Sequence, residues 1–261
     1  MISSYLQGGL GNQMFQIAAA IAHSKELETE TCFSIDTHNL PLQGNKTNTY
    51  CENIFSKVRF WDSPNYYEFL EVFKEKNFSY EKLPDKNNLL LFGYFQSYKH
   101  FEKYKDLISH TFSETPQITE TINKKYSQID FSKTSSLHVR RGDFLKFPDT
   151  HPVLPADYYD NSIKLVTEDA PNLLVFSDDI PWCRQHLKHE NISYVEDKDY
   201  LELYLMSRCK NNIIANSTFS WWAAYLNDNL NKKVIYPSTW FGPSGPKDNS
   251  DLFLKEWIKC C

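Results

Sequence analysis

Short apolar runs alternate with longer amphipathic stretches along this chain, and the alternation predicts its elements. Ile2–Leu6 reads as a strand, followed by a turn with glycine at 8, 9 and 11. From Met14 to Leu27, Met14, Ile17, Ala18 and Ile21 recur at helical spacing and predict a helix. Thr31–Ile35 reads as a second strand, and Leu89–Phe92 as a third. Residues 37–88 are polar and yield no clear element. Helices are expected near 97–112 and 117–127.

The second half is more regular. Ser135–Arg140, Leu173–Phe176, Ile192–Val195, Asn212–Ala215 and Lys233–Tyr236 read as strands. Helices are expected between them over 155–168, from Pro181 to His189, over Tyr200–Cys209 and from near Ser220. Strands alternating with helices predict an α/β fold with a doubly wound parallel sheet. Ligands of such sheets bind beyond the carboxyl ends of the strands. Three unusual stretches follow predicted strands there: His138–Asp143, Ser177–Asp179 and Asn216–Phe219.

Composition narrows the function classes. The 261 residues are 41% hydrophobic and 23% charged, enough for one large domain or two small ones. The net charge is −5 and no basic block occurs, which argues against a nucleic-acid partner. No run approaches the roughly 20 apolar residues of a membrane span. The start of the chain lacks the basic and apolar regions of an export signal, so a cytoplasmic protein is expected. The six cysteines form no C-x-x-C pair, which suits reduced thiols better than a zinc site. The Asn-x-Ser/Thr triplets at Asn45, Asn77, Asn191 and Asn216 then carry no weight as glycosylation sites.

Four stretches could carry chemistry. Gln7–Gln13 holds three of the eight glycines, and a glycine turn into a helix start can cradle an anion. The alternative is a tight strand-to-helix turn. In His138-Val-Arg-Arg-Gly-Asp143, two arginines and a carboxylate at a strand end need partners. If the strand persists to Arg140, alternation sends Arg140 and Arg141 to opposite sides, one toward ligand and one toward structure; the alternative is a pair of surface salt bridges. In Asn216-Ser-Thr-Phe-Ser-Trp-Trp222, hydroxyls at a helix start either cap the helix or hold a phosphate. Asp197-Lys-Asp199 matches the short D-x-D pattern of metal-dependent sugar transferases, although such acids are commonly surface charge.

These stretches, together with GGLGNQMFQ (8–16), GYFQSYKHF (93–101), VLPADYY (153–159), VFSDD (175–179) and LYLMSRCKNNIIANSTFSWWAAYL (203–226), resemble the bacterial α-1,2-fucosyltransferases. The motifs span most of the chain in one order. The resemblance implies two Rossmann-like lobes facing a cleft, the GT-B type, with residues 1–130 mainly on the acceptor side and 131–261 binding the GDP-sugar. It implies GDP-fucose as donor, the 2-hydroxyl of a β-linked galactose on a glycan as acceptor, and inversion without a metal or other cofactor. Arg140 holds the place of the family's pyrophosphate ligand, and Ser217, Thr218 and Phe219 that of the donor-phosphate contacts. The resemblance also brings Gly11, Asn12, His138, Ser177 and Asp178 to the donor. Glu202 stands where a guanine-recognising aspartate is usual.

Arg140 and the helix start near Ser217 are expected to stabilise the leaving diphosphate. Asp143 is the candidate general base, or else the salt-bridge partner of Arg141. The rivals are a metal-dependent transferase using Asp197 and Asp199, and a glycan- or nucleotide-binding protein without catalysis. Residues 37–88 are expected to help select the acceptor. Docking at the inner face of a membrane is left open.

Overall fold

The computed structural model describes residues 1–35, 45–61, 68 and 70–261. Within the segment expected to select the acceptor, residues 37–44, 62–67 and 69 therefore lie outside the described residues. Two α/β units emerge, one of Met1–Thr115 with Asp248–Leu254, the other of Pro116–Lys247 with Lys255–Cys261. The sequence reading divides the chain later, at 130/131. Helix α3 (Pro116–Lys125) accounts for the difference, because it packs on α6 (Asp199–Arg208) of the second unit. Lys125 and Arg208 reinforce that packing, Lys125 on Asp197 at 2.7 Å and Arg208 on Asn123 at 2.7 Å.

The first unit contains β1 (Ile2–Ser4), α1 (Leu10–Glu26), β2 (Phe33–Ser34), β3 (Phe60–Trp61), β4 (Glu71–Lys74), β5 (Leu89–Phe92) and α2 (Lys105–Thr111). β1, β5 and β4 form a parallel sheet in that order, and β2 pairs with β3. The two-residue β3 and the mostly exposed β4 offer no apolar run to read from sequence. The helix expected over 97–112 is two 3-10 turns followed by α2. Helix α1 starts at Leu10 rather than Met14, because the Gly9 carbonyl already accepts the N–H groups of Asn12 and Gln13.

Two buried glutamines of α1 hold the turn that precedes it. Gln13 donates to the Gly8 carbonyl at 3.0 Å and accepts the Thr47 hydroxyl at 2.9 Å. Gln16 accepts the Gln7 N–H at 2.9 Å and donates to the Gly93 carbonyl at 3.1 Å. Buried amides are tolerated only when so paired.

The second unit adds β6 (Thr134–Val139), α4 (Ala156–Val166), β7 (Asn172–Ser177), α5 (Ile180–His186), β8 (Ile192–Val195), β9 (Asn211–Ile213), α7 (Thr218–Leu226), β10 (Val234–Pro237) and β11 (Ile258–Cys260). Its sheet runs β11-β10-β9-β6-β7-β8, every pair parallel. All six residues of β6 are buried, as a central parallel strand requires. Leu137, Val139, Tyr158, Tyr159, Val175 and Ile235 belong to one core cluster. Trp221 and Trp222 are fully buried, and Trp221 stacks on Tyr225 with ring centroids 5.0 Å apart. Packing thus accounts for the double tryptophan. All six cysteines are free.

Gly8 has φ +75°, and a Cβ there would lie 2.4 Å from the Asn12 amide nitrogen. Gly8→Ala is therefore expected to destabilise the protein by about 1–3 kcal/mol. A melting temperature equal to that of the parent would show that this turn is not constrained.

Candidate functional site at the switch point of the second sheet

From β6 the chain proceeds to β7 on one side of the sheet, and from β9 to β10 on the other. Connections leaving adjacent strands in opposite directions open a crevice beyond their carboxyl ends. Residues 140–153 and 214–217 border it. Across it, His138 Nδ1 lies 2.9 Å from the Ser220 hydroxyl, and the Phe219 ring meets the His138 imidazole edge-on at 5.5 Å. Burial, and then the charge of Arg140, push the His138 pKa down to about 3, so this imidazole is neutral at physiological pH. The end of β6 is thereby fastened to the first turn of α7.

The strand stops at Val139, one residue earlier than read, and both arginines lie on the loop beyond it. Arg140 places Nη2 at 2.6 Å from Asp143 and Nη1 at 2.9 Å from Asp178, with its guanidinium over the Phe144 ring. Arg141 turns elsewhere. Its Nε lies 3.0 Å from Asp179, and its guanidinium stacks 4.3 Å from the Trp182 ring centroid. The Arg141 hydrogen bond holds the Asp179 carboxyl below its usual range. Asp143 is therefore the partner of Arg140 and not of Arg141. Asp178 receives both the Arg140 side chain and the Arg141 N–H, the latter at 2.9 Å. A Cβ on Gly142 would sit 2.6 Å from the Asp178 carboxylate, so a larger residue there would displace that side chain.

Ser177 accepts the Asp179 N–H at 2.9 Å, and Asp179 caps α5 through the Trp182 N–H at 3.1 Å. Ser177–Asp179 is thus a rigid turn that receives the arginine loop.

Ser217 occupies the N-cap position of α7, yet its side chain makes no capping bond. Capping does not account for this hydroxyl. Thr218 and Phe219 follow as the first residues of the helix. Asn216, to which the sequence reading gave no role of its own, donates to the carbonyls of Pro152 at 2.9 Å and Trp240 at 3.1 Å. It ties two loops to the start of α7. Its partners are backbone atoms remote in sequence, so only its place beside Ser217 could have drawn attention to it. Buried to 3% exposure, it is also closed to glycosylation. Ser220 was likewise missed, since its role depends on a histidine 82 residues away.

Glu202 lies in the first turn of α6 and accepts the Asp197 N–H at 2.9 Å. Burial raises its pKa to about 7. The two acids of the D-x-D triplet diverge. Asp197 accepts from Lys125 and Tyr126, each at 2.7 Å, and from the Lys198 N–H at 2.8 Å, whereas Asp199 accepts the Tyr200 N–H at 2.8 Å. Among the described residues no group of three or more His, Cys, Asp or Glu side chains is placed to hold a metal ion. Gly11 and Asn12 belong to the first unit, on the opening turn of α1, where Asn12 accepts from Gln96 at 3.0 Å.

Comparison with known proteins gives the family and the fold. The description of glycosyl transferase family 11 matches residues 1–260. The O-antigen biosynthesis glycosyltransferase WbnK of Escherichia coli is 32% identical, over 98% of this chain and 99% of its own. An α-1,2-colitosyltransferase of Escherichia coli is 31% identical over 92% of each. Among solved structures, the fucosyltransferase NodZ from Bradyrhizobium is similar at a TM-score of 0.57, with 13% identity over 85% of this chain and 92% of that one. NodZ is also known from an α-1,6-fucosyltransferase structure soaked with GDP-fucose, at a TM-score of 0.52. That likeness is one of fold, the α/β units of the GT-B class. The match over residues 1–260 and the two relatives above 30% identity show that this chain is a member of glycosyl transferase family 11, the fucosyltransferase-like glycosyltransferases.

Proposed function

We propose that the protein transfers L-fucose from GDP-fucose to the 2-hydroxyl of a β-linked galactose on a glycan, with inversion and without a metal. The observation that carries this reading is the switch point itself. There a guanidinium loop and a helix start with an uncommitted N-cap hydroxyl border one crevice. Arg140 and the first turn of α7 supply positive charge and N–H donors for a leaving diphosphate. The motif match to α-1,2-fucosyltransferases supports the linkage and acceptor, and the occupied carboxylate of Asp197 supports chemistry without a metal. A family relationship to O-antigen enzymes fits a cytoplasmic protein acting on a growing glycan. The colitosyltransferase relative supports a second donor, a colitosyl nucleotide, at the same site.

In this reading His138, Ser177 and Asp178 shape the donor loop, and Ser217, Thr218 and Phe219 receive the phosphates. Gly11 and Asn12 form the donor-side turn of the first unit. Glu202 accepts N–H groups of guanine. Asp143 has two successive states. Before donor binds it is the counter-ion of Arg140. A diphosphate on Arg140 competes for that guanidinium, and the released carboxylate becomes a stronger base for the acceptor hydroxyl.

The decisive assay incubates the protein with GDP-fucose or a colitosyl donor and a panel of galactose-terminated glycans, then determines the product linkage. GDP binding without any product would instead indicate a non-catalytic binding protein. Undiminished turnover in excess chelator is expected, and dependence on an added divalent ion would refute the metal-free reading. Arg140→Ala should slow turnover by about 100-fold or more, the effect of losing one preorganised donor. Asp143→Asn should lower kcat at least about 100-fold while GDP binding is kept or tightened. Near-normal turnover of that variant would leave Asp143 only its counter-ion role.

Glu202 gives a pH dependence of fixed sign. An ionised carboxylate accepts guanine N–H groups, whereas its protonated form does not accept both. GDP affinity should therefore rise as pH increases through about 7. In Glu202→Gln that pH dependence should vanish. A flat affinity from pH 6 to 8 in the parent protein would remove Glu202 from base recognition.

A further inference from the structure

The 3-10 turn Asp143–Lys146 follows directly on the arginine loop, and the two sides of this segment differ sharply. Phe144 points inward, beneath the Arg140 guanidinium and stacked on His151 with ring centroids 4.8 Å apart. Leu145 and Phe147 point outward, 55% and 57% exposed. The other large apolar side chains exposed on the second unit lie elsewhere. Leu165 is near the end of α4, Leu230 follows α7, and Ile258 opens the edge strand β11. Leu145 and Phe147 are thus the exposed apolar pair at the ligand-binding edge of this sheet, among the described residues.

Their backbone is held firmly. The Leu145 N–H donates to the Arg141 carbonyl at 2.9 Å, and the Phe147 N–H to Phe144 at 3.1 Å. The Phe147 carbonyl accepts from Thr150 at 3.1 Å and from His151 at 2.8 Å. The segment beyond β10 braces the turn from behind. Gly242 donates to Thr150 at 3.0 Å and Ser244 to Asp149 at 2.8 Å, and a Cβ on Gly242 would lie 2.4 Å from the Asp149 carbonyl. An exposed phenyl group on a backbone fixed in this way presents an apolar face at little ordering cost.

We propose that Leu145 and Phe147 form the platform on which an acceptor sugar ring rests, its C–H face against the phenyl ring. The inference builds on the proposed transfer reaction. Asp143, the candidate base, must reach the acceptor hydroxyl, and Leu145 and Phe147 follow it within four residues on a fixed turn. Aromatic rings offer broad contact area with only two rotatable bonds, which suits recognition of a ring with one apolar face.

Leu145→Ala, Phe147→Ala and the double variant test this, with acceptor contact read by saturation-transfer NMR on methyl β-galactoside and a galactose-terminated disaccharide in the presence of GDP. The double variant should raise the acceptor Kd about ten-fold, equivalent to about 1.4 kcal/mol, with GDP affinity and melting temperature unchanged. Phe147→Trp should restore binding. An acceptor Kd within two-fold of the parent in the double variant would overturn the platform. So would retention of acceptor binding combined with loss of co-sedimentation with anionic lipid vesicles, which would assign the pair to a membrane surface. NMR reads acceptor contact whether or not sugar is transferred, so a parent protein that binds galactoside but yields no product would fault the transfer reading and leave the platform standing.

Discussion

Two guanidinium groups at the end of a fully buried strand must find partners close by, because an unpaired charge next to a sheet costs several kcal/mol. Much of the second unit can be understood from that requirement. Arg140 takes Asp143 and Asp178, whereas Arg141 takes Asp179 and the face of Trp182. Asp178 and Asp179 stand at the end of the neighbouring strand β7, so their pairing locks the loop after β6 to the loop after β7. Gly142 is small enough to let that contact close, and Ser177 shapes the turn on which the acids stand. On the other flank, the His138–Ser220 contact and the two bonds from Asn216 join the same region to α7 and to the loops at Pro152 and Trp240. The crevice is therefore assembled from polar bonds, while the strands that aim it are held by apolar burial.

The first unit solves a related problem with neutral groups. Its turn at Gly8 leaves backbone donors and acceptors inside the protein, and the amides of Gln13 and Gln16 satisfy them. After β5, Phe95 adopts φ 51°, and Glu75 accepts the N–H groups of Tyr94 and Phe95. Burial raises the Glu75 pKa despite those two bonds. In both units the residues that look chemical by type are in part scaffolding for a loop.

The regular half of the fold was legible in the sequence because its strands are apolar runs and its helices amphipathic. Leu89–Phe92, Ile192–Val195 and the strands at 173–176 and 233–236 coincide with observed strands to within a residue or two. β3, β4 and β11 escaped because they are short and largely exposed, so little periodicity marks them. The start of α1 was misplaced because glycine carries no side-chain signal, and there the backbone alone sets the N-cap. At the site, the motif strings drew attention to His138, Arg140 and Ser217; the two arginines do part, but on a loop beyond the strand, where alternation does not apply. Asp143 lies only three residues from Arg140, but Asp178 and Asp179 meet the arginine loop across 37 or more residues, and no local pattern encodes those contacts. The bonds of Asn216 and Ser220 were invisible for the same reason.

The two carboxylates around Arg140 have a further consequence. They are anions tethered by the chain itself, so they stay beside the guanidinium whatever is dissolved around it. Chloride or a lone phosphate arriving at this guanidinium must evict a partner that cannot diffuse away. A ligand with several charges, gripping the helix start as well as the arginine, meets the same barrier with more to offset it. In the proposed reading the loop is a filter among anions: it gives up some affinity for every one of them in exchange for discrimination against the small, abundant ones.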